Sequence, residues 1–440
     1  MNKKLKKLFV TLVVLLSILL IGTAVSYASE SPVIKLMSVP SYGSFNNVEG
    51  IVCFDDGTKV KSGDYRVAMF IEIEGISNPI AKPYYSQPYA IVQSDGSFSG
   101  DYTTGGIDEQ AKAIHLFLTG SDYFSIDIND AKKSAIDYVR IDRTKTGEIT
   151  VSPDRMIETK ARTGLSSGLT VKKKTIGVNV GFYLKGRPGD KLSSTEVTKI
   201  LTAAKKYANT VRIYSASGEI NKAYSIANKK KLKVIGTAWI SGDPDADKKE
   251  MDALIKLCNK GYVSVACVGS EAILRGDVTI NEIVEDMNYV RGKLKDKSIP
   301  VTTADSCNFF MESSYLRDSC DIIFPNYYPF WNGIKITEAS KDFINAMDNL
   351  KKVCGEKEII VSETGWPTMG DPVGQAKPGS KNAARYYKEI RAWSKETGIN
   401  VMFFSLADEK WKDMDEGSVG SHWGFLTSKL SLKKAYKDIF

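Results

Sequence analysis

Two different rhythms of apolar residues run along the chain. Between Val48 and about Ile128 the period is two: Tyr65, Val67, Met69, Ile71 and Ile73 alternate with Arg66, Ala68, Phe70, Glu72 and Glu74, the pattern of a β-strand with two unlike faces. Asp55-Asp56-Gly57 and Asp95-Gly96 interrupt the runs as turn signals. Further strand-like runs at 89–93 and 113–119 complete a small all-β module, read as a sandwich. From residue 175 onward, short β-branched runs recur at 176–181, 210–214, 232–238, 263–268, 299–303, 322–325, 358–362 and 400–404. Helical stretches fill most gaps, at 194–207, 219–230, 246–260, 279–294, 339–353 and 381–396. Eight strand–helix units in this length predict an α/β domain of the (β/α)8 TIM-barrel type.

The expected plan is therefore a β-sandwich-like domain over 29–141, a linker over 142–170 and a barrel over 171–440. The linker reading rests on polarity, on Thr163-Gly164 and on Ser166-Ser167-Gly168, with room for one short strand. Residues 1–28 follow another logic. Lys3, Lys4, Lys6 and Lys7 precede an almost purely apolar run from 8 to 25, and Ser26-Tyr27-Ala28 puts small residues at −3 and −1 relative to a cut after Ala28. This is the layout of a secretory signal peptide, with an uncleaved anchor as the alternative, and predicts a secreted or cell-surface protein. No other apolar run is long enough to span a bilayer.

Composition narrows the classes further. The 42% hydrophobic and 25% charged residues are those of a globular protein. Setting aside the four lysines of the opening segment lowers the net charge from +8 to +4, too mild to suggest a nucleic-acid partner. Cys53, Cys258, Cys267, Cys307, Cys320 and Cys354 are too scattered for a disulfide scaffold. They are expected mostly as buried thiols, with one disulfide left open. With no Cys-x-x-Cys pair and only His115 and His422, no metal or other cofactor is expected. Asp243-Pro244-Asp245-Ala246-Asp247 opens like a calcium loop, but Lys248 and Leu254 stand where its glycine and last glutamate belong, so it reads as an acidic helix start. Tyr84, Tyr85, Tyr89 and Tyr102 of the β module are either a sugar-stacking face or ordinary packing.

In a (β/α)8 barrel, chemistry lies at the C-terminal ends of the strands. There the sequence places Arg212-Ile213-Tyr214 on the second strand and Gly269-Ser270-Glu271 on the fourth. Asn326-Tyr327-Tyr328-Pro329-Phe330-Trp331 follows the sixth, and Ser362-Glu363-Thr364-Gly365-Trp366-Pro367 ends the seventh. Asp408-Glu409-Lys410-Trp411-Lys412 and then His422-Trp423-Gly424-Phe425 follow the eighth. Two carboxyl groups, Glu271 and Glu363, thus stand among aromatics. Glycoside hydrolysis needs such a pair, one to protonate the leaving oxygen and one to attack or activate water.

On these motifs residues 176–425 resemble glycoside hydrolase family 17, the β-1,3-glucanase family of the four/seven barrel superfamily, with the Ser362–Pro367 segment matching most closely. The resemblance implies Glu363 as nucleophile, Glu271 as acid/base, and Arg212, Tyr214, Ser270, Tyr328, Trp366, Glu409 and Lys412 around the substrate. Trp366 and Trp331 would stack sugar or fill the core; His422 would touch substrate or be structural. The sequence departs from the family at Ser270, where asparagine is usual, and at Val180, where tyrosine is common and Tyr183 could compensate. Ser270 is then expected to face the sugar 2-hydroxyl, with Tyr183 and Asn179 as alternatives. The implied protein is an exported, monomeric retaining hydrolase of β-1,3-glucan or mixed β-1,3/1,4-glucan. The alternatives are a β-1,3-glucan transglycosylase and a non-catalytic glucan-binding surface protein.

Overall fold

A computed structural model describes residues 31–54, 57–83, 87–170 and 176–440. The expected signal segment, the Asp55-Asp56 turn, and Tyr84 and Tyr85 lie outside the described residues. The chain divides into two compact units, one ending at Met156 and one beginning at Ile157.

The first unit holds two antiparallel sheets. One is β1 (Val33–Ser38), β2 (Val48–Cys53) and β6 (Ser97–Gly100), in that order. The other has the order β4 (Ile80–Lys82), β3 (Tyr65–Glu72), β7 (Ala113–Gly120), β8 (Asp137–Arg143) and β9 (Ile149–Ser152), with β5 (Tyr89–Ile91) also paired to β3. Ile34, Leu36, Val48 and Val52 from the first sheet meet Val67, Met69, Ile71, Leu116 and Leu118 from the second in one buried core. The alternation in β3 is real, but both of its faces are covered. Ala68 and Phe70 join a second cluster with Tyr89, Phe117 and Ala131, the last from the short helix α1 (Ile128–Ser134). Tyr89 and Tyr102 are buried, so neither offers a ring face to a sugar.

The expected linker needs correction. Residues 142–152 belong to β8 and β9, strands of the second sheet. Their polarity conceals this because Arg143 is buried, its guanidinium donating to the carbonyls of Ala111, Pro40 and Ser41 and to the Tyr102 hydroxyl. Backbone acceptors replace water there, so a charged residue occupies an interior strand position.

The second unit is a closed barrel of eight parallel strands. They are β10 (Ile176–Asn179), β11 (Ala208–Ile213), β12 (Lys233–Ala238), β13 (Val265–Ser270), β14 (Val301–Ser306), β15 (Pro325–Asn326), β16 (Ile360–Thr364) and β17 (Asn400–Phe403). Between them run α2 (Ser194–Tyr207), α3 (Lys222–Lys229), α4 (Pro244–Asn259), α5 (Ile280–Lys293), the short α6 (Cys307–Glu312) and α7 (Ser314–Ser319), α8 (Ile336–Cys354) and α9 (Ser380–Thr397). Helix starts follow local chemistry. Ser193 with Glu196 and Thr279 with Glu282 form reciprocal capping boxes. Asp243 accepts from the amides of Asp245 and Ala246, so the acidic segment is a helix start, as expected. Residues 157–170 also belong to the barrel unit. Leu169 packs with Ile235, Val265, Ile322, Phe324, Ile360 and Met402, Arg162 pairs with Asp321, and Ser167 donates through its amide and hydroxyl to Glu358. All six cysteines are buried thiols. No helix among the described residues is long and apolar enough to cross a membrane.

Candidate active site

The side chains singled out at the strand ends converge at the C-terminal mouth of the barrel. Glu363, on β16, is buried and accepts three hydrogen bonds. Arg212 Nη1 donates to Oε1 at 2.7 Å, the Tyr214 hydroxyl to Oε1 at 3.0 Å, and the Tyr328 hydroxyl to Oε2 at 2.8 Å. The guanidinium makes the bond to Oε1 a charge-assisted one. Arg212 is itself fully buried between the rings of Tyr214 and Phe324, and its second arm donates to Ser270 Oγ at 2.9 Å. The Ser270 hydroxyl therefore holds the arginine that holds Glu363.

Glu271 stands just beyond β13 in a different environment. Among the described residues its side-chain partner is Asn326, whose Nδ2 donates at 2.7 Å. Burial, with the Glu363 charge adding to it, pushes its carboxyl up to about 7 against the Asn326 amide, which works the other way. Its backbone takes a left-handed φ of 53°, unfavourable for a residue with a Cβ, and the surroundings fix it there. The Glu271 amide donates to Ala304 O at 2.7 Å, and Asp305 accepts from the Ile273 amide at 3.0 Å. Arg275 clamps the same turn, donating to the carbonyls of Ser270 and Ile240 while its guanidinium lies 4.4 Å from the ring centre of Trp239.

On the β17 side, Glu409 is buried and accepts from Lys412 at 3.1 Å, from the Tyr183 amide at 3.1 Å and from the Trp411 indole at 3.3 Å. Gly181 makes room for it: a Cβ there would fall inside the Glu409 carboxylate. Lys412 Nζ also lies 4.0 Å from the centre of the Phe404 ring.

Two residues invoked for sugar contact are engaged elsewhere. Trp366 is 2% exposed, packed on Phe330 and Tyr386 with its indole N–H donating to Lys377 O, so it is a wall of the core rather than a platform. Asn179 is fully buried, its amide given to the carbonyls of Ser362 and Met402. His422 uses its backbone carbonyl to accept from Thr368. Trp331, at 41% exposed, does offer a ring face.

The sequence reading missed Trp239, 40% exposed at the end of β12, and Glu416 in the single turn α10 (Asp413–Glu416). One Glu416 oxygen is buried without a partner, and the Trp423 indole N–H faces this carboxyl without closing a hydrogen bond. Burial raises Glu416 to about 7, against the nearby Lys412. Its only sequence signal was its place in an Asp-Met-Asp-Glu run that resembles solvated surface.

A half-buried carboxyl raised to about 7, sharing a barrel mouth with a carboxyl held by an arginine and two tyrosines, is the equipment of a glycosidase. Comparison with known proteins agrees and is more specific. Residues 177–424 match the BtgE/BtgC glycoside hydrolase domain, and the chain belongs to that family. It is 29% identical over 285 residues to the glucan 1,3-beta-glucosidase of Saccharomyces cerevisiae, covering 59% of this chain and 89% of the relative. It is 30% identical over 297 residues to that of Arthroderma benhamiae, covering 60% and 93%. Among solved structures, the glycoside hydrolase family 17 beta-1,3-glucanosyltransferase from Rhizomucor miehei superposes with a TM-score of 0.54 at 25% identity, over 60% of this chain and 96% of that one. An endo-laminarinase from Formosa shares the fold, with a TM-score of 0.56 at 18% identity over 62% of this chain and 88% of its own.

Proposed function

We propose that this glycosidase belongs to glycoside hydrolase family 17 and hydrolyses β-1,3-glucan with retention of anomeric configuration. Glu363 is the nucleophile and Glu271 the acid/base. The carrying observation is the contrast between the two carboxyls: Glu363 is bonded by a buried guanidinium and two phenols, while Glu271 has one amide donor and is pushed to about 7. Such a split assigns attack to the first and proton donation to the second. Glu271 protonates the glycosidic oxygen as Glu363 bonds to the anomeric carbon, and then takes a proton from the incoming water. The glucan 1,3-beta-glucosidases among the relatives support the linkage. The basic and then apolar opening of the sequence supports export.

The test is to trap the intermediate with an activated 2-deoxy-2-fluoro-glucosyl donor. Peptide mapping should find the sugar on Glu363, and NMR of a β-1,3-oligosaccharide digest should first detect the β-anomer. An initial α-anomer, or a label on another residue, refutes the assignment. A second reading, transfer to a sugar acceptor, draws on the exposed rings of Trp239 and Trp331 and on the glucanosyltransferase neighbour. Products longer than the starting oligosaccharide would select it; exclusively shorter ones select hydrolysis.

A further inference from the structure

The end of the barrel opposite the carboxyl pair carries an uneven charge. Four stretches close α2 to α5 onto β11 to β14: residues 203–209, 226–233, 256–264 and 291–300. Their exposed lysines include Lys205, Lys231, Lys233, Lys260, Lys295 and Lys297, and Asp296 is the only acid in all four. The stretches adjoin one another. Lys205 Nζ donates to Lys231 O at 2.9 Å, Lys233 stands beside Thr210 in the strand register, and the Lys295 amide donates to Asn259 Oδ1 at 2.8 Å. The patch thus runs along four consecutive strands, half of the barrel rim.

Helix dipoles alone do not account for it. Every helix C-terminus favours lysine, yet at the end of α8 the lysines at 351, 352 and 357 share their stretch with Glu356 and Glu358, and Lys395 near the end of α9 is followed by Glu396. Lys231, Lys233, Lys260, Lys295 and Lys297 also lie past the helix ends they follow. The rim continues into a groove of about 650 Å³ along α4, lined by Lys248, Lys249, Lys256 and Lys260 against two acids, Asp245 and Asp252, the latter paired with Lys248.

We propose that this rim is a docking surface for a linear polyanion whose charge is carried by phosphates. The exposed cations are lysines, point charges without the planar fork of arginine, and the one arginine in the four stretches, Arg291, is buried and paired with Asp321. Such a surface reads charge density along a flexible chain rather than a fixed geometry. Its occupant is not a lipid bilayer: a membrane-surface element sets apolar side chains among its lysines, and none of the exposed large hydrophobic residues falls in these stretches. Because the rim lies at the N-terminal ends of the strands, an occupied rim leaves the mouth with Glu271 and Glu363 open to glucan. The enzyme can then be held on an anionic matrix while it works on a neutral one.

The experiment measures binding of the full chain to long-chain inorganic polyphosphate as salt is varied. About six phosphate contacts, at the salt slope of a single-stranded polyanion, predict a loss of roughly three-hundredfold in affinity between 50 and 200 mM salt. Replacing Lys231, Lys233, Lys260 and Lys295 by glutamine should weaken binding at least tenfold while laminarin hydrolysis and melting temperature stay at the wild-type values. A matched set on other faces, Lys335, Lys341, Lys381 and Lys388 to glutamine, should leave binding unchanged. Equal losses in both sets, no polyphosphate binding, or equally tight binding to anionic phospholipid vesicles would each overturn the proposal.

Discussion

Glu271 shows how one side chain serves chemistry at the expense of the fold. Its carboxyl is raised from 4.5 to about 7, first by burial and then by the Glu363 charge. The folded state therefore binds more protons than the unfolded state between those values, and stability falls as pH rises through that window. About 3 kcal/mol has been lost by the time the pH passes 7. Glu271→Gln should accordingly melt several degrees above the wild type at pH 8, with the gap closing by about pH 5 in paired thermal scans. The same substitution removes the proposed proton donor, so kcat/KM should fall by about 10²–10⁴. The wild-type alkaline limb, lost as pH rises through about 7, should vanish with it. Ser270 teaches a related lesson. Its neighbour in sequence is the proposed acid, but its hydroxyl serves Arg212 and through it Glu363, a partnership that spacing along the chain does not reveal.

At the scale of elements, β15, only Pro325–Asn326, meets the expected run 322–325 at Pro325 alone, but the other seven barrel strands were readable because each is a short run rich in β-branched residues next to a helix of regular period. The two helices α6 and α7 were not, since six residues are too few to display a period. The polar strands β8 and β9 were hidden for the opposite reason: a buried arginine satisfied by carbonyls resembles a solvated one in sequence. Within the site, the strand-end glutamates were legible, and what faces them was not. Asn326 reaches Glu271 because β15 lies between β14 and β16 in the closed barrel. Gly181, just past β10, is another such dependence between elements, leaving the space that Glu409 fills from beyond β17. Gly181→Ala should displace the Glu409 carboxylate and with it Lys412, lowering kcat/KM at least tenfold on β-1,3-oligosaccharides. Circular dichroism should still report a folded barrel; wild-type kinetics would show that Glu409 moves without consequence.

On the scale of the molecule, the division at Met156 and Ile157 has a direct test. A chain beginning at Ile157 keeps Leu169 in the barrel floor, Arg162 on Asp321 and Ser167 on Glu358, and should fold and remain active. One beginning at Val171 loses all three and should melt lower or precipitate; equal melting temperatures would demote the 157–170 segment to a passive connection. The buried thiols add a further handle. Cys53 is the one cysteine before Met156, and the other five lie in the barrel unit. Burial pushes Cys258 and Cys307 up to about 12, which silences them as nucleophiles while the barrel is closed. Each unit thus carries its own dormant chemical clock. Under mild denaturant a thiol reagent should start one clock or the other as its unit opens, and mass spectrometry of the labelled peptides would read the order in which the two halves of the chain come apart.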